Sequence, residues 1–211
     1  MSGMIFKKMY LVGIMLSFVF LFTFNVSVFA QTKDIKKFVD IDDVIKSAGA
    51  IVEATISNKE VVVTRSDGWG FTQYKLCSID IIMGEIDSSI IVDGCLSMKV
   101  PGAKLITSGV AYPPVGYRFI FFLSQLEEYH NPISSGMYGI YSIENVNGVD
   151  YVLSYTGYSI FSIDKDGIIL VAKELVYDRS MTKSDFFNKI KEHSSYLGDG
   201  ITKSWRYKSD K

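Results

Sequence analysis

From residue 50 onward the chain consists of short apolar runs separated by polar segments, the pattern of β-strands joined by turns. The apolar runs are rich in Val, Ile, Tyr and Phe, which suit a pleated surface. Clusters of Gly, Pro, Asn and Asp separate them. We predict strands over residues 51–56, 61–64, 71–82, 90–100, 117–123, 138–144, 149–155, 158–163 and 168–172.

Two short helices flank the predicted strands. Asp40, with Asp43 three residues later, resembles a capping box that opens a helix ending at Gly49. Thr182 with Asp185 opens a second helix, which we expect to pack its narrow apolar face on the sheet.

The spacing of the strands predicts how they pair. Asn147-Gly148 and Asp166-Gly167 each separate two strands, and both dipeptides favour the positive φ angles of a type I′ hairpin turn. Short strands at near-regular spacing indicate an antiparallel sandwich or barrel, because the helices that parallel crossovers need are missing from the pattern. We therefore predict a mainly β fold: a partly open antiparallel barrel of five or six strands, with a short N-terminal helix and a C-terminal helix.

The first 30 residues have the pattern of an export signal. Lys7 and Lys8 precede an uncharged apolar run at 9–24, and Val28-Phe29-Ala30 offers a cleavage site. The alternative is an uncleaved membrane anchor, because the apolar stretch is long enough to span a bilayer. We expect cleavage, a mature chain that begins at Gln31, and a location outside the cytoplasm, either secreted or in the cell envelope.

Composition limits the class of protein. The chain is 48% apolar, which excludes disorder, and the mature part after residue 30 carries a formal charge of −3, with 20 basic and 23 acidic residues. No basic field points to nucleic acid. We expect one domain over residues 31–193 and a polar C-terminal tail over residues 194–211, with contact to a membrane only through a retained signal.

The sequence contains few of the residue patterns that catalytic or metal-binding sites require. His130 and His193 are the two histidines, and neither has the spacing of a metal ligand set. Cys77 lies in mid-strand, where a thiolate would not be stabilised, and no Gly-x-Ser-x-Gly motif occurs. We therefore predict no catalytic, metal-binding or cofactor-binding residue.

Tyrosines are the most suggestive binding residues. They stand at positions 112, 117, 129, 138, 141, 151, 155 and 158. The favoured interpretation is nevertheless that they cover the outside of a barrel. The loops at 107–116 and 127–136 flank the most apolar strand, so we take Tyr112, Tyr129 and His130 as candidate binding-loop residues.

The two cysteines leave an open question. An exported domain with only Cys77 and Cys95 favours a disulfide. Strand parity opposes it, because Cys77 shares the parity of apolar Ile79 whereas Cys95 shares that of polar residues. A bulge at Asp93-Gly94 would bring them together, and so would departure of either strand from the sheet before its cysteine. A disulfide and two free thiols both remain open.

Four segments carry a family resemblance: a helix followed by Ile51-Val52-Glu53-Ala54-Thr55, a strand ending in Met83-Gly84, a strand ending in Val100-Pro101-Gly102, and the strand at 115–123. Together they resemble uncharacterised secreted or envelope proteins of bacteria with an OB-like barrel of the netrin/TIMP-like type, over about residues 40–192. TIMP-like inhibitors bind a protease zinc through an N-terminal cysteine. This chain lacks that cysteine, so the resemblance implies the barrel and not the inhibition.

We expect a secreted, non-catalytic binding module that recognises another protein or an envelope polymer. One alternative is an extracellular hydrolase with a site assembled from scattered carboxylates and serines, and another is a purely structural envelope component. A cleft lined by converging carboxylates would favour the hydrolase, whereas an apolar patch would favour binding.

Overall fold

The predicted strands form a sheet in the computed structural model, which describes residues 35–63, 70–101, 113–124, 131–172, 175–197 and 204–205. The strands are β1 (Ile35–Asp40), β2 (Ala48–Val63), β3 (Gly70–Ile86), β4 (Ile91–Val92), β5 (Cys95–Pro101), β6 (Arg118–Ser124), β7 (Ile140–Val146), β8 (Val149–Ser154), β9 (Ser159–Ile163), β10 (Ile168–Ala172) and β11 (Ser204–Trp205). The helices are α1 (Ile41–Ser47) and α2 (Lys183–Tyr196), with short 3-10 turns at Ser88–Ile90, Gly136–Gly139 and Tyr177–Arg179.

The described strands follow one another in the order β1-β10-β9-β8-β7-β6-β2-β3-β5-β4, and β11 pairs with β3 in parallel. The pairs along β10 to β4 are antiparallel. The expected mainly β fold, with a short N-terminal helix and a C-terminal helix, is confirmed, and the sheet is open. It is larger than the five or six strands expected, because the successive hairpins from β7 to β10 continue the same sheet.

Strand β6 lies between two hydrophobic cores. Phe119, Phe121 and Leu123 point into the first core, which also contains inward residues of β2, β3 and β5. Ile120 and Phe122 point into the second core, with residues of both helices. Because both faces are covered, the strand is a continuous apolar run and not an alternating one.

Helix α2 packs on the second core. Its buried residues Phe186 and Ile190 are four positions apart and therefore lie on one face of the helix. The ring of Phe186 is 5.0 Å from that of Tyr141, and Tyr141 is 5.6 Å from Phe122. This aromatic contact confirms the prediction that the C-terminal helix packs on the sheet.

Both predicted helix starts are confirmed. Asp40 accepts a hydrogen bond from the backbone N–H of Asp42 at 2.9 Å, and α1 begins directly after it. Thr182 accepts from the N–H of Asp185 at 3.2 Å and donates to the Asp185 carboxylate at 2.7 Å.

The two hairpin predictions have different outcomes. Asn147 and Gly148 have φ angles of 53° and 85°, which confirms a type I′ turn. In the second hairpin only Gly167 has a positive φ, at 77°, so the type I′ prediction at Asp166-Gly167 is wrong. The reason is Asp164, whose side chain accepts from the N–H groups of Asp166 and Ile168 at 3.0 and 2.9 Å and holds a longer turn.

Cys77 and Cys95 form a disulfide with a Cα–Cα distance of 4.2 Å. They are directly paired residues of β3 and β5. The parity objection fails because Ser78, at φ 52°, interrupts the alternation of β3, so that Cys77 shares its face with Lys75 and not with Ile79. No bulge forms at Asp93-Gly94, since these two residues form the turn between β4 and β5.

Residues 36–211 cluster as one compact unit. The predicted export signal lies outside the described residues, and the boundaries expected at residues 30 and 193 stay predictions. Among the helices that the structure describes, none has the length and apolar composition needed to cross a bilayer.

Candidate functional site

A concave, apolar cleft of about 270 Å³ lies on the face of β6 and β7 that bears the first core. Phe119 of β6 and Ser142 of β7 are directly paired and both line it. We call it the aromatic cleft, and its lining residues are Pro113, Pro114, Tyr117, Phe119, Met137, Ile140, Ser142, Ile143, Glu144, Tyr155 and Gly157.

Backbone hydrogen bonds hold one wall of the aromatic cleft, the segment from Pro113 to Tyr117. The N–H of Gly116 donates to the carbonyl of Ile56 at 2.8 Å, and the N–H of Ile56 donates to the carbonyl of Tyr117 at 3.2 Å. Two successive prolines, Pro113 and Pro114, restrict the backbone at the start of this segment. Tyr117 is therefore fixed at its backbone while 60% of its surface stays exposed.

The lining also contains Met137, within the 3-10 turn Gly136–Gly139. This turn packs tightly on the chain beside it: a Cβ at Gly139 would lie 2.2 Å from the carbonyl oxygen of Ser134. The N–H of Ser134 in turn donates to the carbonyl of Phe122 at 2.7 Å. A glycine is needed at this position, and the turn is anchored to β6.

Three aromatic rings meet beside the cleft. Phe38, Tyr138 and Tyr155 have ring centroids 5.3 to 5.8 Å apart, and two of the three contacts are edge-to-face. Burial, and then the neighbouring Tyr138, raise the pKa of Tyr155. Because Tyr155 also lines the cleft, this group fixes one of its aromatic surfaces.

Glu144, which lines the cleft, has the phenol of Tyr177 as a partner. Glu144 of β7 is paired with Tyr151 of β8, whose ring is 5.4 Å from that of Tyr177. Desolvation, followed by a hydrogen bond to Glu144, raises the pKa of Tyr177 to about 12. Tyr177 therefore stays protonated at physiological pH, and its hydroxyl donates a hydrogen bond to the Glu144 carboxylate.

The other face of the same strands carries a network of four charges. Arg118 donates to Glu53 from Nε at 2.9 Å and to Asp150 at 3.0 Å. Lys183, at the start of α2, lies 3.1 Å from Glu53 and 3.3 Å from Asp150. Asn145 donates to the second oxygen of Asp150 at 2.7 Å. Two carboxylates and two cations thus alternate, and the network ties α2 to the sheet.

This network suits a structural role and not acid–base chemistry. The hydrogen bond from Asn145, and then the contacts from Arg118 and Lys183, lower the pKa of Asp150 despite its partial burial. A carboxylate that stays ionised in this way cannot serve as a general acid near neutral pH.

The lowered pKa makes a testable contribution to stability. Because the folded-state pKa of Asp150 lies below its unfolded value of about 3.9, its contribution is complete above that pH and is lost as the pH falls through the folded pKa. We expect Asp150→Asn to be less stable than the wild type in urea at pH 7, with a smaller difference at pH 3. The exposed Asp178→Asn is the control, and an equal difference at both pH values would contradict the assignment.

His193 has a partner that sequence reasoning missed. It was expected to lie near a helix end, and the structure places it in the last turn of α2, buried and 2.9 Å from the Asp42 carboxylate of α1. The pair joins the two helices. No group of three or more His, Cys, Asp or Glu side chains suited to a metal ion occurs within the described ranges.

The candidate loop residues Tyr112, Tyr129 and His130 lie outside the described residues. The described part of the first loop contributes Pro113 and Pro114 to the cleft, and the second loop ends next to Met137. Ser142, Glu144 and Met137 were missed, because only the pairing of β6 with β7 brings them to one surface. The alternation of Ser142 and Glu144 with apolar neighbours was the available signal.

Comparison of the chain with models of known protein families, with curated proteins and with solved structures gives no match. The resemblance to netrin/TIMP-like proteins stays a prediction.

Proposed function

We propose that this protein is a secreted, non-catalytic binding module and that the aromatic cleft is its ligand site. The observation that carries the proposal is the cleft: a concave, mostly apolar surface with three aromatic side chains and a few polar groups. Ligand sites in proteins commonly have this composition, because apolar walls supply affinity and a few polar groups supply orientation.

The titratable groups favour binding over the hydrolase alternative. Glu53 and Asp150 do converge, as a hydrolase site would require, but each is bonded to the same two cations, and they lie on the opposite face from the cleft. Both cysteines are in the disulfide, so neither supplies a thiol nucleophile. A purely structural component would not need an open cleft with an exposed tyrosine.

The location rests on the N-terminal pattern and on the disulfide. Lys7, Lys8 and the apolar run after them are typical of a secretory signal. The Cys77–Cys95 bond fits an oxidising compartment, because disulfides persist there and are rare in the cytosol. Both observations support a site of action outside the cytoplasm.

Filling the cleft should abolish capture of the ligand. With residues 31–211 immobilised in the native extracellular milieu, we expect the wild type to retain one component and Ser142→Trp to retain at least about tenfold less, since the indole would occupy the cleft. Phe161→Trp, at an exposed position of β9 outside the cleft, is the control and should match the wild type.

Two results would contradict the proposal. One is undiminished retention by Ser142→Trp when circular dichroism shows it to be folded. The other is cleavage of the retained component by the wild type, which would favour the hydrolase.

A further inference from the structure

We propose that the aromatic cleft binds a quaternary ammonium group carried on a short apolar stem. This inference rests on the proposed binding function and specifies the chemistry of the ligand. Its first basis is charge: among the described lining residues Glu144 is the single acidic or basic side chain, and the others are apolar or neutral. A site with one negative charge and apolar walls complements a cation that has an apolar surface.

The Glu144 carboxylate is available to such a ligand. In the described part of the chain no Lys or Arg forms an ion pair with it, in contrast to Glu53 and Asp150. Its partner is the phenol of Tyr177, a neutral donor that orients the carboxylate and leaves its charge in place. Within the described ranges, the negative charge at the cleft therefore has no cationic side chain paired with it.

The aromatic walls supply the second basis. Tyr117, Phe119 and Tyr155 come from three separate segments and all line the cleft. The face of an aromatic ring carries partial negative charge and attracts a cation within about 6 Å of its centre. Several rings around one space, with a carboxylate at the edge, are the arrangement by which proteins bind organic cations.

The small number of polar side chains in the cleft favours a quaternary over a primary ammonium. A primary ammonium brings three N–H donors, and each one left without an acceptor in an apolar site costs free energy. Ser142 and Glu144 are the polar side chains of the lining apart from the tyrosine hydroxyls. A quaternary ammonium has no N–H to satisfy, so apolar walls hold it without that cost.

Size and charge disfavour other ligands. A volume of about 270 Å³ is at the small end of ligand pockets, which suits a compact head group and not an extended polymer strand. An anion would be repelled by Glu144. A neutral sugar would find few hydrogen-bonding side chains for its hydroxyl groups.

The test compares three small ligands that differ in charge and in the number of N–H donors. Residues 31–211 are titrated with choline, with its neutral isostere dimethylbutanol, in which carbon replaces the nitrogen, and with n-butylammonium, and binding is measured by calorimetry and ligand-observed NMR. We expect choline to bind about tenfold more tightly than the isostere, and more tightly than n-butylammonium.

Variants locate the site. Glu144→Gln keeps the shape of the side chain and removes its charge, and should reduce the preference for choline over the isostere about fivefold or more. Tyr117→Leu should weaken choline binding while leaving the fold intact, since the Tyr117 side chain is mostly exposed. The matched control is Glu60→Gln, an exposed carboxylate on β2, which should leave all three affinities unchanged.

Equal binding of choline and the isostere would overturn the cation inference, and so would tighter binding of n-butylammonium or no binding of any of the three. The capture experiment with Ser142→Trp tests the binding function separately. A cleft that captures a component in that experiment but does not prefer choline would refute only the present inference.

Discussion

Phe122→Ala should lower the free energy of unfolding by about 3–5 kcal/mol. Phe122 is fully buried in β6, contacts the ring of Tyr141 at 5.6 Å, and belongs to the core that holds both helices. Its removal takes apolar area from the core and leaves a cavity between the sheet and the helices. A loss of this size is a large part of the roughly 5–15 kcal/mol that stabilises a typical domain.

Urea unfolding followed by circular dichroism measures the effect. Phe161→Ala is the matched control, because Phe161 lies on β9 with 37% of its surface exposed, and its loss should cost less than about 1 kcal/mol. Equal losses for the two variants would contradict the placement of β6 between two cores.

Removal of the disulfide should lower the free energy of unfolding by about 3 kcal/mol. The bond spans a sequence separation of 18 residues, and the cross-link stabilises the fold by restricting the unfolded chain. Cys77→Ser with Cys95→Ser should keep the native sheet, since neighbouring pairs such as Leu76 with Leu96 continue the same register. The cysteines lie on the half-exposed face, so the change leaves no cavity in a core.

Reductant provides the control for this prediction. Dithiothreitol should destabilise the wild type to the level of the double serine variant and should leave that variant unchanged. If both proteins responded equally to reductant, the bond would not be the source of the stability.

The sequence by itself determined the local elements. Asn147-Gly148 adopts its turn because two neighbouring residues decide it. Thr182 and Asp185 start α2 because a cap involves groups three residues apart. The β-rich class followed in the same way, since each apolar, β-branched run and each turn involves only a few consecutive residues.

Irregularities within strands were decided by the tertiary structure. The positive φ of Ser78 interrupts the alternation of β3, so that Cys77 and Ile79 lie on different faces of the strand. No turn dipeptide or glycine marks that position in the sequence. Tyr141 was grouped with tyrosines expected on the outside, but it is fully buried between Phe122 and Phe186. A strand pattern indicates which residues share a face, but it does not say what covers that face.

The candidate site was also decided by the tertiary structure. Glu53 and Lys183 are 130 residues apart in the chain and meet because α2 returns to the sheet beside β2. Tyr117, Glu144 and Tyr155 form one cleft because β6, β7 and the chain after β8 are neighbours in the sheet. Contacts between distant segments depend on strand order and helix packing, and a single sequence carries no direct signal for either.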